Sequence, residues 1–102
     1  MIDRKQVENI LIERKKLHSD DPKIMQKWWE LIEVLGNDED EIIEYLNGCN
    51  EEEVRWLCEI FEDISKQLKS LKFIRCIEML QIKYPNLELK YDILYAKKYL
   101  LN

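Results

Sequence analysis

Apolar residues recur along this chain at the three-and-four spacing of amphipathic helices. Residues 3–17 place Val7, Ile10, Leu11 and Leu17 on one face, with Ile12 flanking. Ser19-Asp20-Asp21-Pro22 is a start signal, an acidic cap followed by proline at the first helical position. A second helix is expected over 22–35, with Ile24, Trp28, Leu31, Ile32 and Leu35 inward, and Gly36 at the closing left-handed position. Asp38, with Glu41 three residues on, opens a short third helix over 39–47, which Gly48 ends. Asn50 and Glu53 repeat the device for a long fourth helix reaching Lys69, with Val54, Leu57, Cys58, Phe61, Ile64 and Leu68 on one face. The fifth covers 70–83, with Phe73, Ile74, Ile77, Leu80 and Tyr84 inward, and Tyr84-Pro85-Asn86 stops it. The sixth, over 89–101, is apolar on two sides: Tyr91, Leu94 and Tyr95 on one, Ile93, Ala96 and Leu100 on the other. That pattern suits a helix wedged between others.

The expected fold is therefore all-α, about six helices in an α-hairpin or HEAT-like helical stack, as one domain over residues 1–102. Trp28, Leu31, Leu57, Phe61, Ile64, Ile77 and Leu80 are its expected core. Two glycines and two prolines in 102 residues are too few for the turns of a many-stranded sandwich or barrel, and for a phosphate-cradling loop. No linker or low-complexity segment divides the chain. Residues 40–46 and 51–57 share an acid-acid-x-(Ile/Val)-x-aromatic-Leu pattern, too short to define a repeat. No stretch has the ~18–20 consecutive apolar residues of a membrane span, and the first residues do not open a signal peptide. Three cysteines, an odd number with no C-x-x-C pair, argue against a disulfide framework and a zinc site. They point to a reduced, cytoplasmic setting. Cys58 and Cys76 fall on apolar faces as small core residues, while Cys49 lies in a turn open to exposure.

Candidate chemistry is sparse. His18 is the only imidazole and stands at a helix end beside Ser19, where a charge at the helix terminus is its simplest role. Glu59, Glu62 and Asp63 cluster on one helix and Glu41 with Glu44 on another. No E-x-x-H spacing accompanies them, and 38–41 lacks the glycine of a calcium loop. The expectation is a protein without catalysis, metal or cofactor.

Charge changes the picture. Residues 30–63 hold 13 acidic groups against Arg55 alone, net −12, whereas 64–102 carry +5. Such a field steers a basic partner and repels phosphates, so nucleic acid is disfavoured at this surface. Aromatics border the carboxylates. On a helical wheel Trp56 falls opposite the Leu57/Phe61 stripe, beside Glu52, Glu59 and Asp63. Tyr45 falls on the Glu41/Glu44 side, and Trp29 lies at the edge of its stripe near Glu33. Packing of Trp56 and Ile60 on a neighbouring helix is the competing reading. Trp and Tyr are typical anchors of interfaces. The expected partner-binding residues are Asp38, Glu39, Asp40, Glu41, Glu44 and Tyr45 on one helix and Glu52, Trp56, Glu59 and Asp63 on the next.

The stretch from Asn50 to Ser65, continuing through 73–80 and Tyr84-Pro85 to 91–99, resembles small all-helical immunity proteins of bacterial polymorphic toxins, including contact-dependent growth inhibition systems. The likeness covers roughly residues 38–101. It lies in general character and not in a strict motif, with acidic helix starts, an aromatic after an acid run and a lysine-rich last helix. It implies a cytoplasmic protein that binds and neutralises a toxin domain, often a nuclease with a basic cleft, and carries over no individual residue. The reading that follows is an inhibitor, monomeric when free, without nucleic acid or membrane partners. The alternative is a non-enzymatic adaptor or scaffold, death-fold-like or HEAT-like, whose oppositely charged faces associate.

Overall fold

The computed structural model describes residues 1–100, and Leu101, where the sixth expected helix ends, lies outside them. The described residues form helices and turns and no strand, so the fold is all-α. Two compact units divide the chain, Met1–Gly36 and Asn37–Asn102.

The first unit is a hairpin of α1 (Arg4–Lys16) and α2 (Lys23–Leu35). Asp3 caps α1, its carboxylate accepting the Gln6 N–H at 3.1 Å, and Arg14, Lys15 and Lys16 complement the dipole in the last turn. Val7, Ile10 and Leu11 of α1 and Ile24, Leu31 and Leu35 of α2 are buried. Trp28, expected in the core, is only half-buried. The smaller Ile24, Leu31 and Leu35 fill the buried face of α2, and an indole is seldom enclosed completely. Lys27 lies partly buried between Glu13 and Glu30, 3.3 Å from each. Burial lowers its pKa, but the two carboxylates outweigh burial and hold it above the ordinary lysine value. Gly36 closes α2 with φ 72° and ψ −155°, a backbone region that is almost exclusively glycine's.

The second unit comprises α3 (Glu39–Asn47), α4 (Glu51–Leu57), a 3₁₀ turn (Cys58–Ile60), α5 (Phe61–Leu68), α6 (Leu71–Lys83), α7 (Lys90–Lys97), and short 3₁₀ turns at Pro85–Leu87 and Lys98–Leu100. Within it α3 packs on α6, α5 packs on α7, and α6 also meets α7. The buried faces meet around Phe61 and Phe73, edge to face with ring centroids 6.0 Å apart. Leu57, Ile64, Ile77 and Leu80 are buried as expected. Ser65 is also fully buried, its hydroxyl donating to the Ala96 carbonyl at 2.6 Å and tying α5 to α7. The Tyr84 hydroxyl donates to the Cys49 carbonyl at 3.1 Å, fixing the end of α6 to the turn between α3 and α4. The Gln81 side chain accepts the Leu89 N–H, holding the start of α7.

The expected fourth helix is not continuous. Val54 and Leu57 of α4 and Ile60 of the 3₁₀ turn are all buried, so the tighter turn at 58–60 brings Ile60 onto the buried side. The chain tightens at 58–60, and α5 begins with its own buried stripe of Phe61, Ile64 and Ser65. Cys58 is consequently only half-buried, its thiol donating to the Arg55 carbonyl at 3.0 Å. Lys69, in the left-handed conformation at φ 48°, ends α5, and Ser70 caps α6.

Candidate partner-binding surface

The acidic segment is built from helix starts. Asp38 caps α3, its Oδ1 accepting the Glu41 N–H at 3.0 Å, and Glu39, Asp40 and Glu41 fill the first turn. Asn50 and Glu53 form a reciprocal capping box on α4 at 2.8 and 2.9 Å, with Glu51 and Glu52 in the same turn. Glu62 and Asp63 occupy the first turn of α5. Nine of the 13 acidic residues of 30–63 thus sit where a helix dipole favours negative charge. The charge density therefore has a local structural cause as well as a long-range field. Glu44 and Glu59 stand outside these first turns.

Of the expected residues, Asp38, Asp40, Glu44, Glu52 and Asp63 are exposed, while Glu39, Glu41, Glu59 and Trp56 are half-buried. Trp56 donates its indole N–H to Glu52 at 3.0 Å, and Glu52 lies 3.7 Å from Arg55, so the half-buried indole and two exposed charged side chains form one cluster on α4. Asp40 reaches Lys72 of α6 at 4.0 Å. Burial raises the Asp63 carboxyl above its ordinary value, and Glu62 beside it adds to the rise. Tyr45 does not belong to this surface. It is 6% exposed, in line with Ile42, Leu46 and Cys49 at the i, i+3, i+4, i+7 spacing of a core stripe. Extending that stripe to Cys49 places Tyr45 inward. Cys49 itself is buried rather than exposed, and its thiol donates to the Tyr45 carbonyl at 3.3 Å.

The α3 carboxylates and the α4–α5 row rest on different supports, since α3 packs on α6 and α5 on α7. The α4–α5 row borders α7: Glu59 acts on the half-buried Asp92, whose carboxyl is pushed up first by burial and further by Glu59. Glu62 accepts hydrogen bonds from Lys98 at 3.1 Å and from the Tyr99 hydroxyl at 3.0 Å, and Lys98 above all holds its carboxyl below the usual range. Cys58, near Asp92 and Glu59, is pushed up to about 12 chiefly by burial, and Cys76 to about 11 by burial alone. Both thiols are therefore poor nucleophiles at neutral pH.

Two exposed features escape the charge argument. Trp29, on α2, is 66% exposed, with Met25 one turn before it also open. On α7, Tyr91, Leu94 and Tyr95 are exposed, as are Met79 and Ile82 on α6, and Ile82 and Leu94 line one groove. The expectation that α7 is wedged between helices is thus corrected. Its Ile93/Ala96 side is buried and its Tyr91/Leu94/Tyr95 side faces outward.

His18 is exposed in the α1–α2 turn, its Nδ1 3.8 Å from an Asp20 carboxylate oxygen. Among the described residues, no three His, Cys, Asp or Glu side chains gather as a metal-binding group, and no helix is long and apolar enough to cross a membrane. No family model, curated protein sequence or solved structure matches this chain.

Proposed function

We propose that this chain is an immunity protein that binds and neutralises a basic toxin domain, a nuclease by the charge logic, through the carboxylates of α3 to α5. The observation that carries the reading is the α4 cluster. Trp56 stands half out of the core with its indole held by Glu52, and Asp63 on α5 and Asp38, Asp40 and Glu44 on α3 add further exposed carboxylates. Carboxylates bring a basic surface in quickly, and a pre-positioned indole supplies the desolvated area that slows its departure. The helix-start placement keeps these charges tolerable in the free protein, so the surface is ready before the partner arrives. Binding is the proposed mode of action, without catalysis, and the free protein acts as a monomer in the cytoplasm.

The test is coexpression in a bacterial host with the C-terminal domain of the protein encoded immediately upstream. The expected result is a toxic domain whose growth arrest this chain relieves by forming a stable complex. A domain that is harmless, or whose toxicity persists without complex formation, overturns the proposal.

A further inference from the structure

We propose that Arg55 is the specificity-determining residue of the acidic surface and takes a side-chain carboxylate set within the partner's basic face. The inference rests on the toxin-binding reading and adds to it what the partner must carry. Arg55 is the one basic residue among the 13 acidic ones of 30–63. It lies on α4 directly before Trp56, with its side chain 54% exposed.

Its surroundings leave the guanidinium short of an acceptor at the very cluster that carries the anchor. The Arg55 Nε stops 3.7 Å from one Glu52 oxygen, beyond hydrogen-bond reach, while the other Glu52 oxygen accepts the Trp56 indole N–H at 3.0 Å. Glu52 thus stands between the two side chains, and a partner that covers the indole meets Arg55 as well. A uniformly basic surface laid there sets cation against cation and strips water from a guanidinium whose donors it cannot fill. A carboxylate in that surface fills them with two parallel hydrogen bonds, which a backbone carbonyl cannot match. A free anion would meet the field of the acidic helices unshielded, whereas a carboxylate set among the partner's cations is carried in with them. Other basic proteins, drawn by the same field but lacking the carboxylate, are penalised at Arg55.

The test measures, by surface plasmon resonance, binding of the C-terminal domain of the protein encoded immediately upstream to the native chain and to Arg55→Ala, Arg55→Lys and Arg55→Glu. Charge steering by itself makes Arg55→Ala, with one cation fewer, bind a basic domain faster and more tightly. The proposal predicts the opposite affinity: association at least as fast as native, but dissociation at least about tenfold faster. Arg55→Lys, which keeps the charge and loses the fork, should show a similar loss, and as the mildest change it guards against misfolding. Arg55→Glu should bind worst, and one Asp→Arg or Glu→Arg substitution on the domain should restore it. That rescue marks direct contact, since a residue acting only through Glu52 and Trp56 gains nothing from it. Native or tighter binding by Arg55→Ala, or an Arg55→Glu loss that no such substitution restores, overturns the proposal and leaves the toxin-binding reading standing. A native chain that forms no complex with the domain overturns both.

Discussion

The acidic helices α3 to α5 and the lysine-bordered face of α6 and α7 present charge in different ways. On the acidic side most carboxylates sit in first turns and caps, where they complete the ends of helices, and no large apolar side chain around them is fully exposed, Trp56 being half-buried. On the basic side Met79, Ile82, Tyr91, Leu94 and Tyr95 stay open, Lys90 and Lys97 border Ile82 and Leu94, and two lysines lie over tyrosine rings, Lys90 over Tyr91 and Lys98 over Tyr95 and Tyr99. Charge density alone therefore does not mark an interface. A carboxylate at a helix start has a structural reason to be there, whereas an open leucine between lysines has none within the described fold.

Both faces hang on one core, and its failure is the largest expected effect. Phe61 is fully buried against Phe73, so Phe61→Ala should cost about 3–5 kcal/mol in chemical denaturation, a large part of a small domain's stability. A loss under ~1 kcal/mol would mean the two faces do not share this core.

Smaller changes should separate the faces. Asp38→Ala removes the cap of α3 and should cost about 1 kcal/mol, while Glu44→Gln and Leu94→Asp should each stay within about 0.5 kcal/mol. Equal losses at Asp38 and Leu94 would break the distinction between structural acids and uncommitted apolar residues.

The smallest effect is pH-dependent. Burial first, and Glu59 second, raise the folded-state pKa of Asp92, so its ionised form is disfavoured in the fold. Stability associated with Asp92 is present below its unfolded pKa and is lost as pH rises through the folded value. Asp92→Asn should therefore raise the melting temperature at neutral pH, with the gain shrinking as the solution is acidified through the carboxylate range. A neutral-pH loss would show that the charge is needed where α7 meets the α4–α5 row.

Much of the fold is legible in local sequence. Asp38, Asn50 and Ser70 announce the helices they cap, and the 39–47 helix falls where its spacing places it. The break at 58–60 is not legible, because Val54, Leu57, Phe61 and Ile64 keep the three-and-four spacing of one continuous helix across it. A helical wheel sends Tyr45 outward because it stops short of Cys49. Gly48 marks the end of α3 as expected, although its φ of −91° is open to other residues, so glycine is not needed there for its conformational freedom. The open side of α7 is not legible, because periodicity reports which residues share a face and not whether a neighbour covers it.

The proposed docking of a basic toxin domain on the acidic helices is open to stopped-flow association of that domain over a range of salt concentrations. The comparison is between the native chain and Glu44→Lys and Glu59→Lys, singly and together, two acids outside the first turns of the α-helices. Each reversal should slow association at low salt and flatten its salt dependence, with the double variant slowest and dissociation little changed. Association at the native rate in low salt, in variants that remain folded, would contradict the proposed docking.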